Sequence, residues 1–400
     1  MGFQGREQGS SVGTASGDEL SQVRIFLSWV QYVVDFVVQG RLHVFVNVDE
    51  TALASVRHRG WGMASLHRRS VASPKARPRD PLDRGFSCTT LVAVVCDCPS
   101  LQPLLPQIIL SRYTQNAALP AARQAQNRAC GFPFEFWNGT GGRMTPTIFR
   151  HWATRLRQAV GSFNPGAWIV LILDCSTCHL DRASVVHMRR LGFIVIFIPA
   201  KMTWLLQLLD VYIFLRLKRG IREAEARFRS RTSSGQIPSG AWLKLVTTII
   251  RREIVNCDWS HHFSRVGLGE SCHHLSRHLA ELIDPASIRP ALPTRAEFAL
   301  LVGRSADTVI TRTLHASILG HTLAVQRLPA HAQPPHSATY VLPVSADARP
   351  PSSRRQTYEA MDVTEVIDAF AQAAPPEPDF LHPFVDARNL QVHGERVVAD

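Results

Sequence analysis

The chain has 400 residues, of which 45% are hydrophobic, and its formal net charge is +12 at pH 7. This length suits one large domain or two to three ordinary ones, and the apolar fraction supports a packed core. The first residues lack the apolar segment of a signal peptide, and Asp35, Gly40 and Arg41 interrupt the apolar run at 26–48. A secreted or membrane-spanning protein is therefore not expected, and the eight cysteines are expected to be reduced thiols.

The basic charge is concentrated in the first 330 residues. Residues 331–400 hold 5 Lys and Arg against 10 Asp and Glu, which leaves 39 against 22 in the rest of the chain. A basic body with an acidic tail favours a polyanionic partner, most simply nucleic acid. The same balance is also compatible with a basic protein that has no such role.

The first part of the chain reads as a helix followed by several strands. Residues 1–20 are rich in Gly and Ser, which is typical of disorder. After them, apolar periodicity and turn residues predict a helix over 21–39 that ends at Gly40, a strand over 41–51, a basic exposed loop over 57–85, a hairpin of two strands over 88–110 and a strand over 132–142.

The second part alternates helices and strands. The patterns predict a helix over 144–160, a strand over 168–174, a helix over 182–192, a strand over 193–200, a long helix over 205–228, a second helix over 242–255 and an isolated short helix over 363–373. An antiparallel start followed by parallel crossovers is a mixed α/β layout. Residues 286–328 are expected to be a helical extension, and residues 329–400 a Pro-rich, acidic, disordered tail.

Three aspartates lie at the ends of predicted core elements. Asp49 ends one strand, Asp174 ends another, and Asp210 lies at the start of the long helix. Each one alone is more simply a strand-end or helix-capping residue. Together they can converge, and three carboxylates without partners would repel, so one would be protonated or a cation would lie between them.

Oxygen ligands of this kind favour Mg²⁺ or Mn²⁺. Two divalent cations bring about +4, which balances three carboxylates and one phosphodiester in the two-metal arrangement of nucleases. The sequence therefore predicts a two-ion site at Asp49, Asp174 and Asp210.

Three segments resemble blocks of the DDE superfamily transposase catalytic domain, in particular its pogo-like, mariner-related branch. The segments are "VNVDET" (46–51), "LILDCSTCH" (171–179) and "IPAKMTWLLQLLDVYIFLRLK" (198–218). They are similar to N-x-D-E-T, L-D-N-x-x-x-H and L-P-x-x-T-x-x-x-Q-P-L-D, and the 36 positions between Asp174 and Asp210 fit that branch. The resemblance is strongest over 40–270 and places the catalytic domain at 21–285.

The resemblance implies a fold, a reaction and a set of site residues. The fold would be ribonuclease H-like, with a mixed sheet flanked by helices. Asp49, Asp174 and Asp210 would bind the metal ions and catalyse cleavage of DNA and joining of its ends. Asn47, Glu50, Thr51, His179 and Gln207 match motif positions and would have supporting roles. Since side chains alternate along a strand, Glu50 is expected on the opposite face from Asp49 and is not predicted as a ligand. The resemblance also implies a nuclear location, and it is compatible with a homodimer.

The chain also departs from the family pattern. Cys175 replaces the usual Asn, Leu208 replaces Pro, and Ala200 and Lys201 replace Pro and Asn. Only about 40 residues precede the matching segment, which is too few for two helix-turn-helix modules. This suggests a truncated or decayed element copy or a gene-model fragment.

Basic side chains are the candidate DNA contacts. Arg216, Lys218, Arg219 and Arg222 lie on the predicted helix after Asp210, where they could bind phosphates or form a solvated face with Glu223 and Glu225. A second basic group extends from Arg57 to Arg79. Other interpretations remain open: an inactive transposon-derived DNA-binding protein, and a nuclease for RNA–DNA hybrids. Two further interpretations have much weaker support. One is haem attachment at Cys175, Cys178 and His179, and the other is a zinc site formed by Cys96, Cys98, Cys175 and Cys178.

Overall fold

The computed structural model describes residues 17–53, 89–111, 132–138, 143–231, 237, 239–269 and 275–335. The predicted loop at 57–85, the acidic tail beyond 335 and the short helix at 363–373 lie outside these residues. The strands are β1 (His43–Ala52), β2 (Thr89–Cys96), β3 (Gln107–Ser111), β4 (Phe134–Asn138), β5 (Trp168–Leu173) and β6 (Phe193–Phe197).

The helices account for most of the remaining described residues. They are α1 (Gly17–Tyr32), α2 (Pro146–Phe163), α3 (Arg182–Arg190), α4 (Thr203–Leu206), α5 (Phe214–Arg231), α6 (Ser239–Ile250), α7 (Ser260–Arg265), α8 (Arg277–Leu282), α9 (Arg295–Leu301) and α10 (Val309–Gln326). π-Helical turns at Val33–Val37, Leu209–Ile213 and Arg251–Val255 adjoin α1, α5 and α6. Helix α1 begins at Gly17, so the prediction of disorder up to residue 20 was wrong for its last four residues.

The six strands form one sheet in the order β4-β3-β2-β1-β5-β6. Strand β2 is antiparallel to both β1 and β3, whereas β4 is parallel to β3, and β5 is parallel to both β1 and β6. Helices α3 and α10 contact β6, and the turn at Arg251–Val255 contacts β2. The predicted α/β fold, a mixed sheet flanked by helices, is confirmed.

The parallel strands are the centre of the core. Every residue of β5 and of β6 is buried. Strands that are covered on both faces read as continuous apolar runs, which is why the sequence predicted both of them correctly. The predicted hairpin is also present, but β3 begins at Gln107 because Pro103 and Pro106 interrupt the preceding segment.

The helices at 286–328 pack onto the same core. The ring of Phe298 lies 6.2 Å from that of Trp29 on α1, and the Tyr32 hydroxyl donates to Gln326 at 2.9 Å. The guanidinium of Arg41 donates to the carbonyl of Val325 at 2.7 Å. These contacts join α9 and α10 to the α1–β1 region.

The predicted long helix over 205–228 is broken, and that prediction was wrong in detail. Helix α4 stops at Leu206, and Gln207 has an extended backbone with φ −90° and ψ 110°. The π-helical turn Leu209–Ile213 follows and then leads into α5. The reason lies in contacts with β1, which hold the segment that carries Asp210.

Candidate active site

Asp49 and Asp174 are neighbours across two parallel strands. The register pairs Asn47 with Ile172, so that both aspartates lie two residues further along their strands. Asp174 follows the last residue of β5, as predicted. Asp49 does not end β1, because that strand continues to Ala52 and pairs Asp49 with Ala93 of β2. The two aspartates therefore meet where β1 extends past the end of β5.

Asp210 reaches this place because two buried amides attach its segment to β1. The Asn47 side chain donates to the Ile172 carbonyl at 3.2 Å and accepts from the Leu209 amide at 3.3 Å. The Gln207 side chain donates to the Val48 carbonyl at 3.3 Å. Both side chains are buried. They hold the turn in front of α5 against β1, next to the residue that precedes Asp49.

The three aspartates interact electrostatically. Burial, and after it the charges of Asp210 and Asp174, together raise the pKa of Asp49 to about 8, although a hydrogen bond from the Glu50 amide acts in the opposite direction. Desolvation also raises the pKa of Asp210, which the Thr203 hydroxyl and Lys218 partly offset, and Asp174 adds to the rise. The structure thus brings the three predicted carboxylates close enough to interact electrostatically.

Asp174 differs from the other two because it has a histidine partner. Burial raises its pKa, but the hydrogen bond and charge of His179 outweigh this effect, and the net pKa lies below its ordinary value. The His179 Nδ1 lies 2.5 Å from Asp174 Oδ1, and the Ser176 amide donates to the same oxygen at 3.2 Å. Asp174 is therefore ionised at neutral pH.

Glu50 approaches the group from the other side of His179. Its Oε1 lies 4.0 Å from His179 Nε2. Burial raises the pKa of Glu50, His179 lowers it, and Asp174 raises it. The sequence predicted Glu50 on the opposite face of the strand from Asp49. It did not reveal that His179 would lie between Glu50 and Asp174.

Three side chains have contacts in the structure that the sequence interpretation did not foresee. Thr203 donates to Asp210 and occupies the Thr position of the third block, which was an available signal. Cys178 lies beside His179 and Glu50, and these three residues offer ligand atoms within 4.8 Å of one another. Lys218 was predicted as a DNA contact, and its effect on Asp210 was not foreseen.

Three of the departures from the family pattern lie in the segments that follow β5 and β6. Ala200 donates its amide to the Leu301 carbonyl at 2.7 Å, which proline could not do because it has no N–H. The Cys175 thiol donates to the Ile198 carbonyl at 3.1 Å, and burial raises its pKa to about 12. Lys201 has a left-handed backbone with φ 69°, a conformation that asparagine tolerates better than lysine.

The predicted DNA contacts differ in their partners. Arg216 pairs with Glu253 at 3.1 Å, and Arg219 pairs with Glu223 at 2.8 Å. Lys218 lies over the ring of Phe214 at 5.8 Å and faces Asp210, while Arg222 is exposed. Lys218 therefore adjoins the aspartate group, whereas two of the arginines already have carboxylate partners. The second basic group, from Arg57 to Arg79, lies outside the described residues.

The donor set suits hard divalent cations. Carboxylate oxygens are the ligands that Mg²⁺ and Mn²⁺ prefer. Besides burial, the charges of Asp210 and Asp174 raise the pKa of Asp49, and the charge of Asp174 raises that of Asp210; cations bound among these carboxylates would offset this repulsion. The cysteines at 96 and 98 do not join Cys175 and Cys178 in a common site among the described residues, so the four-cysteine zinc site was wrong.

Residues 90–255 match the DDE superfamily endonuclease family. The match contains Asp174 and Asp210, whereas Asp49 precedes it. The matched segment is therefore similar to transposase-like nuclease domains, a class that uses divalent metals and acts on DNA. Comparison with curated proteins and with solved structures found no significant match. In the described parts of the chain, no helix combines the length and apolarity needed to cross a membrane. The assignment to the pogo-like branch stays a prediction.

Proposed function

We propose that this chain is a metal-dependent DNA endonuclease of the transposase type, which cuts DNA phosphodiesters and joins the resulting ends. Asp49, Asp174 and Asp210 are the residues that would hold two Mg²⁺ or Mn²⁺ ions. The observation that carries the proposal is geometric: Asp49 and Asp174 lie at matching positions of neighbouring parallel strands, and hydrogen bonds from Asn47 and Gln207 tie the segment of Asp210 to β1. Two of the three lie in the segment that matches the DDE endonuclease family.

The chain's own residues have distinct tasks in this proposal. His179 keeps Asp174 ionised and oriented through the 2.5 Å hydrogen bond at Nδ1. Asn47 and Gln207 hold the turn of Asp210 against β1. When bound, a pair of divalent cations supplies activation of the attacking oxygen and stabilisation of the leaving oxygen.

Lys218 and Arg222 are the residues proposed to contact DNA phosphates beside the site. Lys218 faces Asp210, and Arg222 is exposed on the same helix, α5. Arg216 and Arg219 would contribute by exchanging their glutamate partners for phosphate oxygens, which is a smaller gain in binding. A homodimer and a nuclear location are parts of the proposal that rest on the sequence resemblance.

The test is nicking of supercoiled plasmid by the purified chain in Mg²⁺ and in Mn²⁺. Asp174→Asn should reduce nicking at least about 100-fold, because a charged metal ligand is lost while the side-chain volume is kept. The matched control is Asp307→Asn, which makes the same change on an exposed loop and should keep wild-type nicking. Nicking that survives in Asp174→Asn would remove this residue from the mechanism.

Two further outcomes separate this proposal from its alternatives. Salt-dependent DNA binding without metal-dependent nicking would favour an inactive, transposon-derived nucleic-acid-binding protein. Preferred cleavage of an RNA–DNA hybrid over duplex DNA in competition would favour a hybrid nuclease.

A further inference from the structure

His179 has a ring nitrogen for which the described structure provides no hydrogen-bond partner. The side chain is 1% exposed, and its Nδ1 is bonded to Asp174, but Nε2 has no acceptor or donor within hydrogen-bond distance. The nearest carboxylate oxygen, Glu50 Oε1, lies 4.0 Å away and is itself buried without a partner. Leaving two buried polar atoms face to face and unpaired is costly.

A third donor lies beside this pair. One ligand atom each from Glu50, Cys178 and His179 lies within 4.8 Å of the others. Cys178 is buried, and its Sγ lies 3.1 Å from Ser176 Oγ. A sulfur, an imidazole nitrogen and a carboxylate oxygen are the three ligand types of zinc sites, whereas Mg²⁺ avoids sulfur.

We propose that Glu50, Cys178 and His179 form a Zn²⁺ site, separate from the aspartate group. The hydrogen bond from His179 Nδ1 to Asp174 supports this assignment, because it keeps a proton on Nδ1, so that zinc would displace the proton from Nε2 and bind there. Ligand atoms of a tetrahedral zinc ion lie roughly 3.3–3.8 Å apart. The most widely spaced pair of ligand atoms therefore needs to close by up to about 1–1.5 Å around the ion.

The zinc site would connect two elements that carry the catalytic aspartates. Glu50 is the residue after Asp49 on β1, and Cys178 and His179 lie in the turn that follows Asp174. A bound ion would hold that turn to β1 and keep the Asp174 carboxylate in one orientation through His179. Zinc binding itself does not depend on nuclease activity, so its test is independent of the proposed function.

The experiment measures metal uptake by the full chain without DNA. After chelation, the protein is dialysed against Zn²⁺ in the presence of excess Mg²⁺, and bound zinc is measured by mass spectrometry. Wild type should retain one zinc per chain, and with Co²⁺ it should show thiolate-to-cobalt charge-transfer absorption. Cys178→Ser should lose that absorption and weaken zinc binding at least about 10-fold. Cys257→Ser is the control, because this half-buried thiol bonds the Arg252 carbonyl elsewhere in the fold.

Two more variants make every result informative. Glu50→Gln keeps the side-chain shape and should also weaken zinc binding, which covers the case in which Cys178→Ser fails to fold. Asp210→Asn should retain zinc, because it alters only the aspartate group. Equal zinc uptake by wild type, Cys178→Ser and Glu50→Gln would overturn the proposal. Zinc lost in Asp210→Asn but kept in Cys178→Ser would overturn it as well, since the ion would then lie among the aspartates.

Discussion

Asp49 on β1 and Asp174 at the end of β5 lie on neighbouring strands, yet their surroundings shift their pKa values in opposite directions. At Asp49, burial and the charges of two other aspartates raise the pKa to about 8. At Asp174, the His179 side chain lowers the pKa despite burial. The difference shows that position along a strand sets only the location of a carboxylate, while its protonation depends on the partners around it.

Removing the side-chain amide of Asn47, which holds the Asp210 segment against β1, should have the largest effect on stability. Asn47→Ala leaves the buried Leu209 amide and the Ile172 carbonyl without this side chain, so we expect a loss of about 3 kcal/mol in the free energy of unfolding. Urea unfolding measures it. Asn164→Ala, in the turn before β5, removes one partly buried hydrogen bond and should cost about 1 kcal/mol or less. Equal losses in the two variants would show that Asn47 does not hold the Asp210 segment.

Removing the His179 partner of Asp174, at the end of β5, should reduce the free energy of unfolding by a somewhat smaller amount. His179→Leu removes the partner of Asp174, and we expect a loss of about 2 kcal/mol at pH 7. This is below the value for a fully buried pair, because the Asp174 side chain is 25% exposed. A double-mutant cycle with Asp174→Asn isolates the pair, and its coupling energy should account for most of the loss. Strictly additive costs would mean that the two side chains do not stabilise each other.

The pH dependence of stability should distinguish Asp49 from Asp174 directly. The Asp49 pKa is higher in the folded protein than its ordinary value of 3.8, so the folded state keeps a proton that the unfolded state releases. Without divalent cations, the free energy of unfolding should therefore fall as pH rises from about 4 to about 8, by up to about 1.4 kcal/mol per pH unit.

Asp49→Asn tests the origin of that slope. Its unfolding free energy should change less with pH in the same window, and saturating Mg²⁺ should flatten the wild-type curve. Asp174 contributes with the opposite sign, since its lowered pKa stabilises the fold above its unfolded value and is lost as pH falls through the folded one. A wild-type slope retained in Asp49→Asn would assign the effect to other groups.

The smallest expected effect lies in the loop after β6, beside the β5 end. Lys201 has a φ of 69°, which asparagine adopts more readily than lysine. Lys201→Asn should therefore stabilise the protein by about 0.5 kcal/mol, as measured by urea unfolding. Lys244→Asn within helix α6 is the matched control and should be destabilising by a similar amount, because asparagine is the poorer helix former. A loss of stability in Lys201→Asn would show that the lysine side chain makes a compensating contact.

Much of the sheet could be predicted from local patterns, and the same patterns marked three aspartates as candidate site residues. Strands β5 and β6 are continuous apolar runs, and Asp174 is the first polar residue after one of them. The segment of Asp210 could not be predicted in the same way. Its apolar periodicity is helical throughout, and the break at Gln207 depends on a carbonyl of Val48, which is 159 positions away in the chain.

The order of residues along the chain was sufficient for the fold class, because burial periodicity is a local property, and it marked Asp49, Asp174 and Asp210 as candidate ligands. The proximity of Glu50, Cys178 and His179, the opposite pKa shifts of Asp49 and Asp174, and the interrupted helix before α5 came from folding. Each of these depends on side chains that meet across the sheet, and such distances and charges are set by packing between segments that are remote in sequence.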